Sequence, residues 1–321
     1  MQRPKPICSQ GDSLRILLQF PEGLKQYALE YAIRLESEGN EVFVSASPSF
    51  GACDLSIDEA KSIGAEKLIH FGHGEFHKVD FNVQYVEFYM DVPLDILQSS
   101  LKLLEGFETI GLVTTIQHTR QLEAIRAFYE SNGKRIVIGK PYGFAKVNGQ
   151  ILGCDIGSAA SIDGAVDVHV YFGGGMFHPL GALLATKKPF IVVDPFNTKV
   201  ERIDQNREKY ARRSRGKVLA SLGAKRFGIL LSTKNGQHNM SLARILKQKI
   251  EDAGLQAEIL VANTFDFGSI DNLMQFDALV NTACPRIAID DTDRTTKPLL
   301  SSNELMEVLK MKRDLGSKGK D

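Results

Sequence analysis

The chain has 321 residues, an apolar share of 43%, and 39 basic side chains against 39 acidic ones, for a formal net charge of +0. That balance argues against a chain-wide electrostatic footprint for nucleic acid or an anionic membrane. The apolar share suffices for real cores, and the length predicts two or three domains of about 100 to 150 residues each.

Residues 1–13 are polar and contain prolines, with no apolar run long enough for a signal peptide or a membrane span, so a cytoplasmic location is expected. Residues 14–20, LRILLQF, read as a buried parallel strand, and 21–23 as a turn. Residues 24–38 carry Leu24, Ala28, Tyr31, Ala32 and Leu35 at a helical period, and Gly39 stops the helix. Residues 41–46 are the next strand. This strand–helix–strand unit occurs twice more. The second copy is strand 109–114, loop 115–120, helix 121–131 and strand 135–139. The third is strand 226–231, loop 232–239, helix 240–253 and strand 256–261. Such alternation predicts parallel sheets with helices on their faces.

The expected fold class is therefore α/β: three similar domains with parallel sheets flanked by helices, arranged around a central site with pseudo-threefold symmetry. The domain limits expected are 1–105, 106–204 and 205–321. The loop after each first strand carries polar groups: Glu22 in the first copy, Gln117 and His118 in the second, Gln237 and His238 in the third. Carboxyl ends of parallel strands are the ligand side of such sheets, so these loops are expected to converge.

A second echo concerns cysteine. GACD at 51–54 and GCD at 153–155 each precede a strand that ends in glycine. Strand 67–71 runs into Gly72, His73 and Gly74, and strand 166–172 into Gly173, Gly174 and Gly175. The spacing from Cys53 to His70 equals that from Cys154 to Tyr171. In the third copy, strand 278–281 runs directly toward Cys284. Four scattered cysteines are too few for a disulfide framework. One per domain, Cys53, Cys154 and Cys284, instead suits a metal or an iron–sulfur cluster with one position left open. No close C-x2-C pair of structural zinc type is present, and the wide separations imply a site formed between domains. Composition and spacing leave zinc open, with His73 or His178 completing its set. Cys8 matches no motif and is expected to be a spectator. Segment 198–217 is rich in Lys and Arg; it reads as a solvated connecting helix, with a contact surface for an acidic or nucleotide-bearing partner as the other reading. The tail 311–321 reads as frayed.

FPEGL at 20–24, GACD at 51–54, HFGHGEF at 70–76, GCD at 153–155, GGGMFHPLGA at 173–182, VDPF at 193–196 and ACPRIAIDD at 283–291 occur in this order. Together they resemble the archaeal diphthamide biosynthesis enzymes, the radical-SAM-like 2-(3-amino-3-carboxypropyl)histidine synthases. The resemblance spans about residues 14–300. It implies a homodimer whose three α/β domains each give one cysteine, Cys53, Cys154 and Cys284, to a 4Fe–4S cluster. It implies that S-adenosylmethionine donates its 3-amino-3-carboxypropyl group, through a carbon-centred radical, to an imidazole carbon of a histidine in translation elongation factor 2. This is the first step of diphthamide biosynthesis, and its second product is 5′-methylthioadenosine. An external electron donor is implied; a membrane or direct nucleic-acid partner is not.

From loop position, Gly173, Gly174 and Gly175 are expected to let the nucleoside or methionyl part lie against backbone, and Gln117, Gln237 and His238 to hold its polar groups. The ordinary radical-SAM C-x3-C-x2-C triplet is absent, which fits this family. The short segment before the first strand departs from it, where a helix is expected. A quinolinate-synthase-like dehydratase and a non-catalytic cluster- or zinc-binding partner subunit are the rival readings. The ACPR and GGGMFHP segments favour the transferase, and the three cysteines favour a catalytic subunit.

Overall fold

The buried apolar runs form the centres of three sheets, and the amphipathic segments between them cover the sheet faces. The computed structural model describes residues 13–318. The chain divides into two compact units, one ending at Asp204 and the other beginning at Gln205.

The first unit holds two sheets. One is built from β1 (Arg15–Gln19), β2 (Glu41–Val44), β3 (Lys67–Phe71) and β4 (Val83–Val86), in the order β2-β1-β3-β4 and parallel throughout. The other is built from β5 (Thr109–Thr114), β6 (Arg135–Val137), β7 (Val168–Phe172), β8 (Phe190–Asp194) and β9 (Lys199–Arg202), in the order β6-β5-β7-β8-β9. Only its β8–β9 edge is antiparallel. The second unit holds β10 (Arg226–Ser232), β11 (Gln256–Ala262), β12 (Ala278–Asn281) and β13 (Leu299–Leu300), in the order β11-β10-β12-β13 and parallel. All three sheets thus place their first strand between the second and the third, and the third beside the fourth.

The sequence explains this order. β5 and β7 are buried at every residue, as strands covered on both faces must be. The helix Leu122–Ser131 turns Leu122, Ile125 and Tyr129 into the core that holds Ile110, Leu112, Val168 and Val170. The helix Met240–Asp252 does the same with Ala243, Leu246 and Ile250. Spacings of three and four residues put such side chains on one helical stripe, and each large one buried contributes about 1.5–3 kcal/mol.

Several expectations need correction. The segments expected as a turn at 21–23 and a loop at 115–120 form 3-10 helices, Glu22–Tyr27 and Ile116–Gln121, which lead into the following α-helices. Segment 198–217 is not one connecting helix. It supplies the edge strand β9 and most of the helix Asn206–Ala220. The tail is not frayed over 311–318: the helix Ser302–Lys318 continues through it, anchored by Leu305, Val308 and Leu309 in the core. Lys312 Nζ donates to the carbonyls of Leu222 and Ala224, both at 2.7 Å. Leu97 and Leu104 pack in the core of the second sheet. Cys8, residues 1–12 and residues 319–321 lie outside the described residues. No helix among the described residues is long and apolar enough to cross a membrane.

Candidate functional site

Cys53 stands in the loop between β2 and the helix Ile57–Ser62, and its side chain is half-buried. The loop is turned by its own neighbours. Asp54 N donates to the Gly51 carbonyl at 2.9 Å, and the Asp54 carboxylate accepts from Phe50 N at 3.3 Å. From beneath, Gln19 at the carboxyl end of β1 grips it. The Gln19 Nε2 donates to the Asp54 carbonyl at 2.7 Å, and its Oε1 accepts from Ser56 N at 3.3 Å. Sequence reading passed over Gln19 as part of a buried strand. The signal available was a single polar residue at the last position of an apolar run.

The register Gln19↔His70 sets the next group. Gln19 Oε1 lies 2.8 Å from His70 Nδ1, and His70 Nε2 lies 3.0 Å from His73 Nδ1. His70 is wholly buried. Burial drives it well below the ordinary imidazole value, and the neighbouring His73 adds to that. Burial also lowers His73, to about 4, against the raising effect of a hydrogen bond with the Phe71 backbone. Both rings are therefore neutral at pH 7.

Cys154 is exposed, in the loop that leads to the short helix Gly157–Ala160. Asp155 mirrors Asp54: its carboxylate accepts from Ala145 N at 2.8 Å and from Gly157 N at 3.0 Å. Gly153 is required by packing, because a β-carbon there would meet the Phe177 ring at 2.1 Å. The helix Phe177–Ala185 thereby fixes the cysteine loop against the glycine turn after β7.

In that turn Gly173 and Gly175 have φ values of 149° and 75°, open to glycine and strained for other residues. The Tyr171 hydroxyl, its pKa raised by burial, donates to the Gly174 carbonyl at 3.3 Å. Asp194 at the end of β8 accepts from Gly175 N at 3.4 Å, Phe196 N at 2.9 Å and Asn197 Nδ2 at 2.8 Å. Burial alone would raise its carboxyl, but these hydrogen bonds outweigh that and hold it below the usual value. The three glycines are thus held as a backbone surface between Tyr171 and Asp194.

Contacts within this unit join the two cysteine neighbourhoods. Gln117 Nε2 donates to the Gly72 carbonyl at 2.9 Å, from the loop after β5 to the loop after β3. His118 Nδ1 lies 3.0 Å from the Met90 carbonyl. Burial lowers the pKa of His118 despite that bond. Phe76, beyond β3, stacks on Phe144, ahead of Cys154, with centroids 3.8 Å apart. His178 is half-buried within the helix Phe177–Ala185.

In the second unit, Cys284 follows β12 and is half-buried. Asn281 holds its turn: Nδ2 donates to the Cys284 carbonyl at 2.9 Å and Oδ1 accepts from Ala283 N at 3.1 Å. Gln237 and His238 lie beyond the carboxyl end of β10, the neighbour of β12. Gln237 N donates to the Lys234 carbonyl at 3.0 Å. His238 Nδ1 is 2.8 Å from the Ser232 carbonyl, so it carries the proton and Nε2 is the acceptor when the ring is neutral.

Residues 20–318 match the family profile described as "Putative diphthamide synthesis protein". The chain is 31% identical over 304 residues to the 2-(3-amino-3-carboxypropyl)histidine synthase of Pyrococcus horikoshii, covering 94% of this chain and 87% of that protein. It is 28% identical over 319 residues to the human 2-(3-amino-3-carboxypropyl)histidine synthase subunit 1, covering 96% and 71%. Among solved structures, Dph2 from Pyrococcus horikoshii with a 4Fe-4S cluster matches with a TM-score of 0.85 at 30% identity, covering 93% of this chain and 87% of that one. The three-sheet α/β fold and its cysteine loops are those of a member of the diphthamide synthesis family, to which this chain belongs.

Proposed function

We propose that this protein is a 2-(3-amino-3-carboxypropyl)histidine synthase. It transfers the 3-amino-3-carboxypropyl group of S-adenosylmethionine to an imidazole carbon of a histidine in translation elongation factor 2, the first step of diphthamide biosynthesis. The observation that carries this reading is the repeated placement of Cys53, Cys154 and Cys284, each near a loop or turn braced by a neighbouring Asp or Asn. It is joined to the likeness to a Dph2 structure that holds a 4Fe-4S cluster.

The donor set fits that group. Thiolates are the usual ligands of iron–sulfur clusters, and these three thiols are exposed or half-buried. Cys53, Cys154 and Cys284 would hold the cluster. When bound, it supplies one electron and an open iron for the methionyl group. The chain's own work is orientation. Gly173, Gly174 and Gly175 offer backbone to the nucleoside or methionyl part. His238 offers Nε2, and Gln117 and Gln237 offer amide groups, Gln117 while also holding the Gly72 loop. Three domains, 1–105, 106–204 and 205–321, a homodimer, a cytoplasmic location and an external electron donor complete the proposal.

The test uses S-adenosylmethionine labelled in the aminocarboxypropyl carbons, with anaerobically reconstituted protein, dithionite and elongation factor 2. Label on a single histidine of the factor is expected. Label that stays with the small molecules, with none on the factor, would contradict the reading.

A further inference from the structure

The amide of Gln19 fixes a direction of hydrogen bonding that ends beside Cys53. Gln19 is 1% exposed. Its Nε2 faces the Asp54 carbonyl at 2.7 Å, and a carbonyl only accepts, so the amide can stand in one orientation. Its Oε1 therefore faces His70 Nδ1 at 2.8 Å, and that nitrogen must carry the proton. A neutral ring has one N–H, so His70 Nε2 accepts, and its neighbour at 3.0 Å, His73 Nδ1, must donate. His73 Nε2 is left as the nitrogen with the lone pair. It is turned toward Gly51 and Cys53: a β-carbon built on Gly51 would stand 3.7 Å from His73 Nε2 and 3.9 Å from Cys53 Sγ.

We propose that His73 Nε2 is a hydrogen-bond acceptor for substrate bound beside Cys53, and that Gln19 and His70 are positioning residues that fix its tautomer. The identity of the substrate rests on the transferase reading above. N–H donors in that reaction come from two molecules: S-adenosylmethionine, with its α-ammonium and adenine amino group, and the target imidazole, with its ring N–H. They share one chemistry, a nitrogen-borne proton offered to a neutral imidazole. The chain of three side chains costs nothing to rearrange at the moment of binding, because each proton position is dictated by the one before it.

The first test needs no activity. In protein labelled with 15N-histidine, the ring nitrogen resonances assign the tautomers. Protonation of His70 and His73 at Nδ1 is expected; a neutral His73 protonated at Nε2 overturns the proposal. The second test compares two variants after reconstitution. His73→Asn keeps a donor near the Nδ1 position but offers no acceptor at the Nε2 position, whereas His73→Gln places an amide oxygen there. With iron content unchanged, His73→Asn is expected to lose at least about tenfold in S-adenosylmethionine affinity or in transfer to the factor, and His73→Gln to recover most of it, a difference of about 1.4 kcal/mol.

Weakened S-adenosylmethionine binding assigns the donor to S-adenosylmethionine. Unchanged binding with lost transfer assigns the target imidazole. A His73→Asn variant equal to wild type in both overturns the proposal. Should either variant fail to hold iron, the ring resonances of the wild type decide. Wild-type protein with the expected tautomers that binds no S-adenosylmethionine overturns the transferase reading and the ligand assignment together, which separates that failure from a wrong tautomer.

Discussion

The ring of Phe177 lies across Gly153 with no room for a side chain between them, since a β-carbon on Gly153 would stand 2.1 Å from the ring. On the other side, a β-carbon on Gly181 would stand 2.7 Å from the Gly153 carbonyl. The helix Phe177–Ala185 and the loop of Cys154 are therefore seated on each other through glycines. Gly153→Ala should destabilise the protein by about 1–3 kcal/mol through overpacking and lower the iron retained on reconstitution. Adding Phe177→Ala should restore part of both. Urea denaturation with iron analysis reads the result, and an Ala variant as stable and as iron-rich as wild type would contradict this packing.

Gln117→Ala removes the amide that bridges to the Gly72 carbonyl. The expected stability cost is about 0.5–1.5 kcal/mol. The more telling effect is local: amide exchange should quicken around Gly72, His73 and Gly74, with the cores unchanged. Hydrogen-exchange mass spectrometry checks this, and unchanged exchange in that loop would show the bridge to be dispensable.

The second unit has its own clamp. Lys217 Nζ donates to Glu304 Oε2 and to the Ala288 carbonyl, both at 2.8 Å, while Ser214 Oγ donates to Glu304 Oε1 at 2.6 Å. Burial would raise the Glu304 carboxyl, but the bonds from Lys217, Ser214 and Ser301 prevail and hold it below its ordinary value. The pair therefore stabilises above pH about 4.5, and the benefit is lost as pH falls through the lowered folded value. Both side chains are largely buried, at 15% and 11% exposure, so Glu304→Gln should cost about 3 kcal/mol near neutral pH. Less should be lost in acid, and an equal loss at pH 7 and pH about 3 would contradict the assignment.

His70 marks a second window on the acid side, at higher pH than Glu304. Its folded pKa is well below 6.5, so below that pH the unfolded chain takes up a proton that the folded chain refuses. Stability should be level in this respect above pH 6.5 and fall as pH is lowered, by up to about 1.4 kcal/mol per pH unit. Urea midpoints measured from pH 7.5 down to pH about 5, with His70→Gln as the control that flattens the slope, test it. A wild-type profile no steeper than the variant's would contradict a neutral buried ring.

Much of this was legible beforehand, for a simple reason. Strands Lys67–Phe71, Thr109–Thr114 and Ala278–Asn281 match their predicted limits because a strand covered on both faces carries an apolar centre that stands out, Leu68 and Ile69, Ile110, Leu112 and Val113, and Leu279 and Val280. β9, KVER, was not legible: a half-exposed edge strand of alternating charge looks like a solvated helix. The helical tail was missed because its charged end hides the stripe of Leu305, Val308 and Leu309 that anchors it. At the site, the cysteine loops and the glycine turn stood out by residue type. Gln19 did not, because its partner His70 is 51 positions away and is reached only through the β1–β3 register. Gln117 was placed at the right end of its strand, but its bond to Gly72 depends on two sheets lying side by side.

The most direct test of the central claim is the identity of the adenosine-containing product. Reconstituted protein, reduced anaerobically with S-adenosylmethionine and elongation factor 2, should release 5′-methylthioadenosine in step with modification of the factor. Cys53→Ala, Cys154→Ala and Cys284→Ala should each abolish it. Release of 5′-deoxyadenosine instead, or methylthioadenosine that persists in all three cysteine variants, would contradict the account.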